Sequence, residues 1–122
     1  MHILAVSMVA LVALLHFYFM LLEMFFWENP LGLRTFGLKE DFARASKALA
    51  ANQGLYNGFL AAGLVWGLAL GDSGYAVKIF FLACVAIAGV FGAATANRKI
   101  LYIQALPAII AMLLTWMSTG SN

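Results

Sequence analysis

The feature that most restricts the folds available to this sequence is a series of four apolar stretches separated by polar links. The stretches run over residues 3–27, 47–70, 75–96 and 100–117. The length of each stretch is near the about 20 residues that a helix needs to cross a bilayer. A helix also satisfies its own backbone hydrogen bonds inside the bilayer. We therefore predict an all-α polytopic membrane protein, with one domain of four transmembrane helices over residues 1–122.

Composition excludes several other classes of protein. Hydrophobic residues make up 65% of the chain and charged residues 10%, which is far from the balance of a soluble domain. The net charge of +2 is too small to indicate nucleic acid, so the expected partner is a lipid bilayer. Cys84 is the single cysteine, which excludes an intrachain disulfide. The first stretch contains Glu23 and has no basic segment before it, so we do not expect a cleavable signal peptide.

Positive charges are distributed unevenly among the links. Only Lys78 lies beside the second link. The first link, residues 28–46, has four positive residues in or beside it, and the third link has two: Arg34, Lys39, Arg44 and Lys47, then Arg98 and Lys99. Because Lys and Arg accumulate on the cytoplasmic side of membrane proteins, we predict that both termini lie outside. The first link is then cytoplasmic. Glu40 and Asp41 suit the first turn of a helix within it, and Pro107 is expected to kink the fourth stretch.

Polar side chains recur at matching depths in three stretches. Three of them lie five residues, roughly 7 Å, from the charged end of their stretch: Glu23, Asn52 and Gln104. Three more lie nearer the middle of the bilayer: His16, Tyr56 and Asn57. Ionisable groups at membrane depth are expensive to hold and usually face a bundle interior or a wet cavity. The pattern predicts a polar pocket that opens to the cytoplasm.

His16 and Glu23 are the predicted catalytic pair. They are seven residues apart and share one face of a helix, roughly 10 Å apart along its axis. This separation is too large for one metal ion, whose ligands lie about 2.1 Å from it, so no metal site is predicted. Apolar surroundings disfavour the charged form of either group, which suits both to proton transfer. The alternative is a structural hydrogen bond from Glu23 to Asn52 or Gln104.

The second stretch supplies most of the predicted ligand-binding residues. Asn52 and Tyr56 are spaced i,i+4, as are Gln53 and Asn57. Together they cover an arc of about 140°, so they cannot all face one partner. We expect Asn52, Tyr56 and Gln53 on the cavity side, with Asn57 and Gln104 as further ligand-binding candidates. Alternatively, each amide or hydroxyl only hydrogen-bonds across the bundle.

Small residues recur at every fourth position in the middle stretches. The rows are Gly54 and Gly58; Gly63, Gly67 and Gly71; and Ala88, Gly92 and Ala96. Such rows allow helix backbones to approach closely. We expect them to pack the helices of one chain, with a homo-oligomer as the alternative.

Two segments carry a family resemblance, LEMFFW at residues 22–27 and AANQGLYNGFLA at residues 50–61. Later segments are also similar: FFL at 80–82, AGVFG at 88–92 and QALPA at 104–108. Over nearly its whole length the chain resembles a family of small bacterial membrane proteins catalogued as domain of unknown function 1304. The resemblance implies a four-helix inner-membrane protein without an established activity. The matching motif positions are Glu23, Trp27, Asn52, Gln53, Tyr56, Asn57 and Gln104.

Three functions remain open at this point. The first is an enzyme or binding protein for a small amphiphile, such as an isoprenoid, a quinone or a lipid-like metabolite. The second is a small proton-coupled transporter that uses Glu23 as its exchanging carboxylate. The third is a non-enzymatic assembly subunit that acts through the glycine rows. No motif specifies a cofactor.

Overall fold

The computed structural model describes residues 2–120, and this part of the chain contains helices and no strand. The all-α prediction is therefore confirmed. In chain order the elements are α1 (His2–Phe25), α2 (Pro30–Phe36), α3 (Glu40–Ala45), α4 (Lys47–Ala69), a 3-10 turn (Gly71–Gly74), α5 (Tyr75–Thr95), a π-helical segment (Leu101–Ala105) and α6 (Leu106–Gly120). The chain divides into two compact units. The central unit is Leu15–Phe59, and the terminal unit contains the chain up to Leu14 and from Leu60 onwards.

Within residues 2–120, three helical regions are long and apolar enough to cross a membrane, judged by length and composition: His2–Phe25, Gly71–Thr95 and Leu101–Thr119. Only 28%, 22% and 22% of their most apolar windows are buried inside the protein, so most of these side chains require another apolar environment. Helix α4 is not in this group, because its first half contains three side-chain amides that lower its hydropathy. Membrane character is thus indicated, and a fourth span stays a prediction.

In the central unit, the link over residues 28–46 folds into α2 and α3. The two acidic residues predicted for a first helical turn lie at the start of α3. The indole N–H of Trp27 donates a hydrogen bond of 3.1 Å to Ser46 Oγ, and Glu28 forms an ion pair of 3.2 Å with Lys47. These two contacts connect the residues after α1 to the beginning of α4.

The core of the terminal unit is made of aliphatic side chains from four helices. Its buried members are Val9, Val12, Ala13, Leu64, Leu82, Val85, Ala108 and Ala111. Gly89 of α5 lies against the backbone of Ala105, since a Cβ added to Gly89 would lie 2.5 Å from the Ala105 nitrogen. This glycine therefore sets the closest approach of α5 to the π-helical segment.

The π-helical segment lies directly before Pro107. The N–H of Leu106 bonds to the carbonyl of Leu101, five residues earlier. Proline lacks an N–H and its ring clashes with the carbonyl four residues before it, that of Ile103, so a widened turn accommodates the ring. The irregularity predicted at Pro107 therefore takes the form of a π turn.

Glycines of the predicted rows pack within each unit. In the central unit, a Cβ on Gly58 would lie 2.7 Å from Met20 Sδ. In the terminal unit, a Cβ on Gly67 would lie 2.6 Å from Lys78 Cγ. Gly71 differs, because it has a φ of +63° and follows α4 in the left-handed conformation that favours glycine. Ala88 and Ala96 of the third row are exposed, and a homo-oligomer stays a prediction.

Candidate functional site

In the central unit, Gly54 brings α4 close to Glu23. A Cβ on Gly54 would lie 3.0 Å from Glu23 Cβ and 2.7 Å from Met24 Cγ. The absence of a side chain at Gly54 thus lets this face of α4 pack directly on the second half of α1.

Asn57 is the hydrogen-bond partner of Glu23. Its Nδ2 donates to Glu23 Oε1. The Asn57 side chain is 8% exposed, and Glu23 is half-buried. The interaction therefore joins a covered amide to a carboxyl group that the protein covers only in part.

The expectation that Asn52, Gln53 and Tyr56 bind a ligand stays a prediction, and the structure places all three on exposed parts of α4. The reason is helix geometry. The face of α4 that meets Glu23 is fixed by Gly54, and Asn57 lies three residues further along the same face. Asn52 lies two residues before Gly54, about 200° around the helix, and points away.

The two remaining candidates lie elsewhere. His16 is fully buried in the central unit, and its ring meets Phe19 edge to face with the centroids 5.6 Å apart. Glu23 lies seven positions after His16 in α1. That the two side chains share a cavity stays a prediction. Gln104 is half-buried in the π-helical segment of the terminal unit.

The site suits hydrogen bonding and exchange of one proton. A carboxyl group offers about four acceptor positions when ionised and one donor when neutral. Within the described part of the chain, Asn57 is the one hydrogen-bond partner of Glu23. Over the same residues, no group of three His, Cys, Asp or Glu side chains could hold a metal ion.

The sequence analysis missed a cavity of about 140 Å³ in the terminal unit, at the starts of α1 and α5 and the end of α6. Its polar lining is Asp72, Tyr75, Lys78, Thr115, Ser118 and Thr119, with His2. The sequence pattern indicates Lys78 only as a charge beside the second link, but this residue is 8% exposed. Its position three residues inside an apolar stretch was the signal that could have identified it.

Comparisons with known proteins agree with the motif resemblance. A family model described as "Protein of unknown function (DUF1304)" matches residues 10–116, a range that includes Glu23, Asn57 and Lys78. The uncharacterized protein YpaA of Lactococcus lactis subsp. lactis (strain IL1403) is 33% identical over 115 residues, which cover 93% of this chain and 97% of that protein. No solved structure matches the chain significantly.

Proposed function

The chain belongs to the DUF1304 family of proteins of unknown function, and from its own residues we propose that it is an inner-membrane protein that binds a small amphiphile at Glu23 and Asn57. One observation carries the proposal. A half-buried carboxyl group of the apolar helix α1 and a buried amide of α4 are hydrogen-bonded to each other. Ionisable groups within membrane segments usually serve a ligand, ion or proton pathway.

The open positions around Glu23 define the type of ligand. Asn57 engages Oε1, and Oε2 has no hydrogen bond among residues 2–120. A hydroxyl group could donate to this oxygen, and the neutral acid could donate to a carbonyl. Because the side chains of Met20 and Met24 at this face are apolar, the bound molecule combines one such polar group with a hydrocarbon body, as in an isoprenoid, quinone or lipid-like metabolite. Conversion of that molecule would add His16 as the second proton-transfer group.

Native mass spectrometry of the purified protein tests the proposal. Wild type is expected to retain a bound amphiphile, and Glu23→Gln to lose most of it, because the amide cannot supply the acid proton or the carboxylate charge. Glu28→Gln is the matched control, since Glu28 is exposed and its partner is Lys47. Equal retention by Glu23→Gln and wild type would contradict the proposal.

We also propose four spans with both termini outside, with α4 as the fourth span. Helix α4 has 23 residues, about 34 Å at 1.5 Å per residue, which is enough to cross the hydrocarbon core. Six of the seven Lys and Arg residues then lie at the cytoplasmic side.

Reporter fusions test this topology. A reporter that is active only in the periplasm is expected to be active at either terminus and silent when inserted after Gly37, the exposed residue that ends α2. An odd number of spans would give opposite results at the two termini. Activity at Gly37 with silence at both termini would reverse the proposed orientation.

A further inference from the structure

The cavity of the terminal unit contains a buried lysine. Lys78 lies in the first turn of α5 and is 8% exposed. Its stem packs against Gly67, where an added Cβ would lie 2.6 Å from Lys78 Cγ and 3.1 Å from its backbone nitrogen. Lysine is almost never buried to this degree unless it is paired. Within residues 2–120, no hydrogen bond or ion pair is formed by Lys78.

A second buried donor lines the same cavity. Thr115 of α6 is 4% exposed, and its Oγ1 has no hydrogen-bond partner among residues 2–120. Buried polar atoms are nearly always hydrogen-bonded, yet among residues 2–120 neither the Thr115 hydroxyl nor the Lys78 ammonium in this cavity has an acceptor, so a bound ligand could supply one. Lysine can only donate, so an anionic group meets its requirement best.

Asp72 restricts the charges that a ligand of this cavity can carry. It also lines the cavity, is exposed, and makes no ion pair with Lys78. Among the described lining residues, Lys78 and Asp72 therefore present one positive and one negative group that do not neutralise each other. A multiply charged anion would be repelled by Asp72, whereas a molecule with one charge of each sign would satisfy both groups.

We propose that this cavity binds a small zwitterion, with its anionic group at Lys78 and Thr115 and its ammonium group at Asp72. The volume of about 140 Å³ is well below the about 300–1,000 Å³ of sites for drug-sized ligands. It suits a small solute or the headgroup of a lipid. Both sources share the same chemistry, and the site is independent of Glu23.

Thermal unfolding in detergent tests the site with soluble glycerophosphoethanolamine as one probe and short-chain phosphatidylethanolamine as the other, since each carries one phosphodiester charge and one ammonium charge. A ligand that binds only the folded state raises Tm in a saturable way. At least one probe is expected to raise the Tm of wild type, and the active probe identifies solute or headgroup as the source. The same rise is expected for Glu23→Gln and for Lys99→Met, which removes an exposed lysine.

Three variants test which lining residues contact the bound probe. Lys78→Met retains the aliphatic stem and is expected to abolish the rise in Tm. Thr115→Val keeps the side-chain size and should fold normally, because the hydroxyl has no partner to lose within the described part of the chain. This variant should require about tenfold more probe. Asp72→Asn should remove the preference for glycerophosphoethanolamine over inorganic phosphate. The proposal is overturned if neither probe raises Tm, if Thr115→Val responds like wild type, or if wild type prefers inorganic phosphate.

Discussion

Gly89→Ala is expected to destabilise the protein strongly, whereas Gly58→Ala should change its stability little. The new methyl group at Gly89 would lie 2.5 Å from the nitrogen and 2.8 Å from Cα of Ala105. These are backbone atoms, so relief requires that α5 and the π-helical segment separate. Overpacking of this kind typically costs about 1–3 kcal/mol, and a backbone collision lies at the upper end.

Gly58→Ala is the matched control, because the same methyl group is added to a helix of the same protein. Its nearest neighbour is Met20 Sδ at 2.7 Å, in a flexible side chain that can adopt another rotamer. Replacement of a helical glycine by alanine also contributes about 1 kcal/mol of helix propensity at both sites. The Tm of each variant in detergent measures the difference. An equal decrease in Tm for Gly89→Ala and Gly58→Ala would contradict the prediction, because the close backbone contact at Gly89 would then have no additional effect on stability.

The double variant Glu23→Met/Asn57→Leu is expected to remain folded and to lose the bound amphiphile completely. Asn57→Leu alone removes the donor to Glu23 and leaves a partly buried carboxyl group unsatisfied, at a cost of about 1–3 kcal/mol. Replacement of both partners by apolar side chains of similar size is nearly neutral. The double variant should therefore be more stable than Asn57→Leu, although it has lost both polar groups of the site.

Thermal stability and native mass spectrometry of the same samples separate a binding site from a structural hydrogen bond. A ligand site predicts that ligand is lost in the double variant while folding recovers. If the double variant is less stable than both single variants, and the ligand content follows the folded fraction, the hydrogen bond between Glu23 and Asn57 is structural. An assembly subunit that acts through its glycine rows would then be the better interpretation.

Much of the helical organisation could be predicted from hydropathy, because the length and apolar composition of a stretch are enough to indicate a long helix. The bounds of the predicted stretches at 3–27, 47–70 and 75–96 lie within two residues of those of α1, α4 and α5. The stretch at 100–117 becomes a π-helical segment followed by α6. Pro107 marked that irregularity, but hydropathy does not distinguish a kink from a π turn.

The sequence by itself determined the helical class, the family and the presence of a carboxyl group among apolar residues. Tertiary structure decided which side chains meet. Periodicity gives the relative positions of residues around a helix but not its rotation toward a neighbour. The close approach at Gly54 fixes that rotation, so Asn57 meets Glu23 while Asn52 is exposed. In the same way, a lysine near the end of an apolar stretch can extend into solvent or fold inward, and packing against Gly67 holds Lys78 inside the terminal unit.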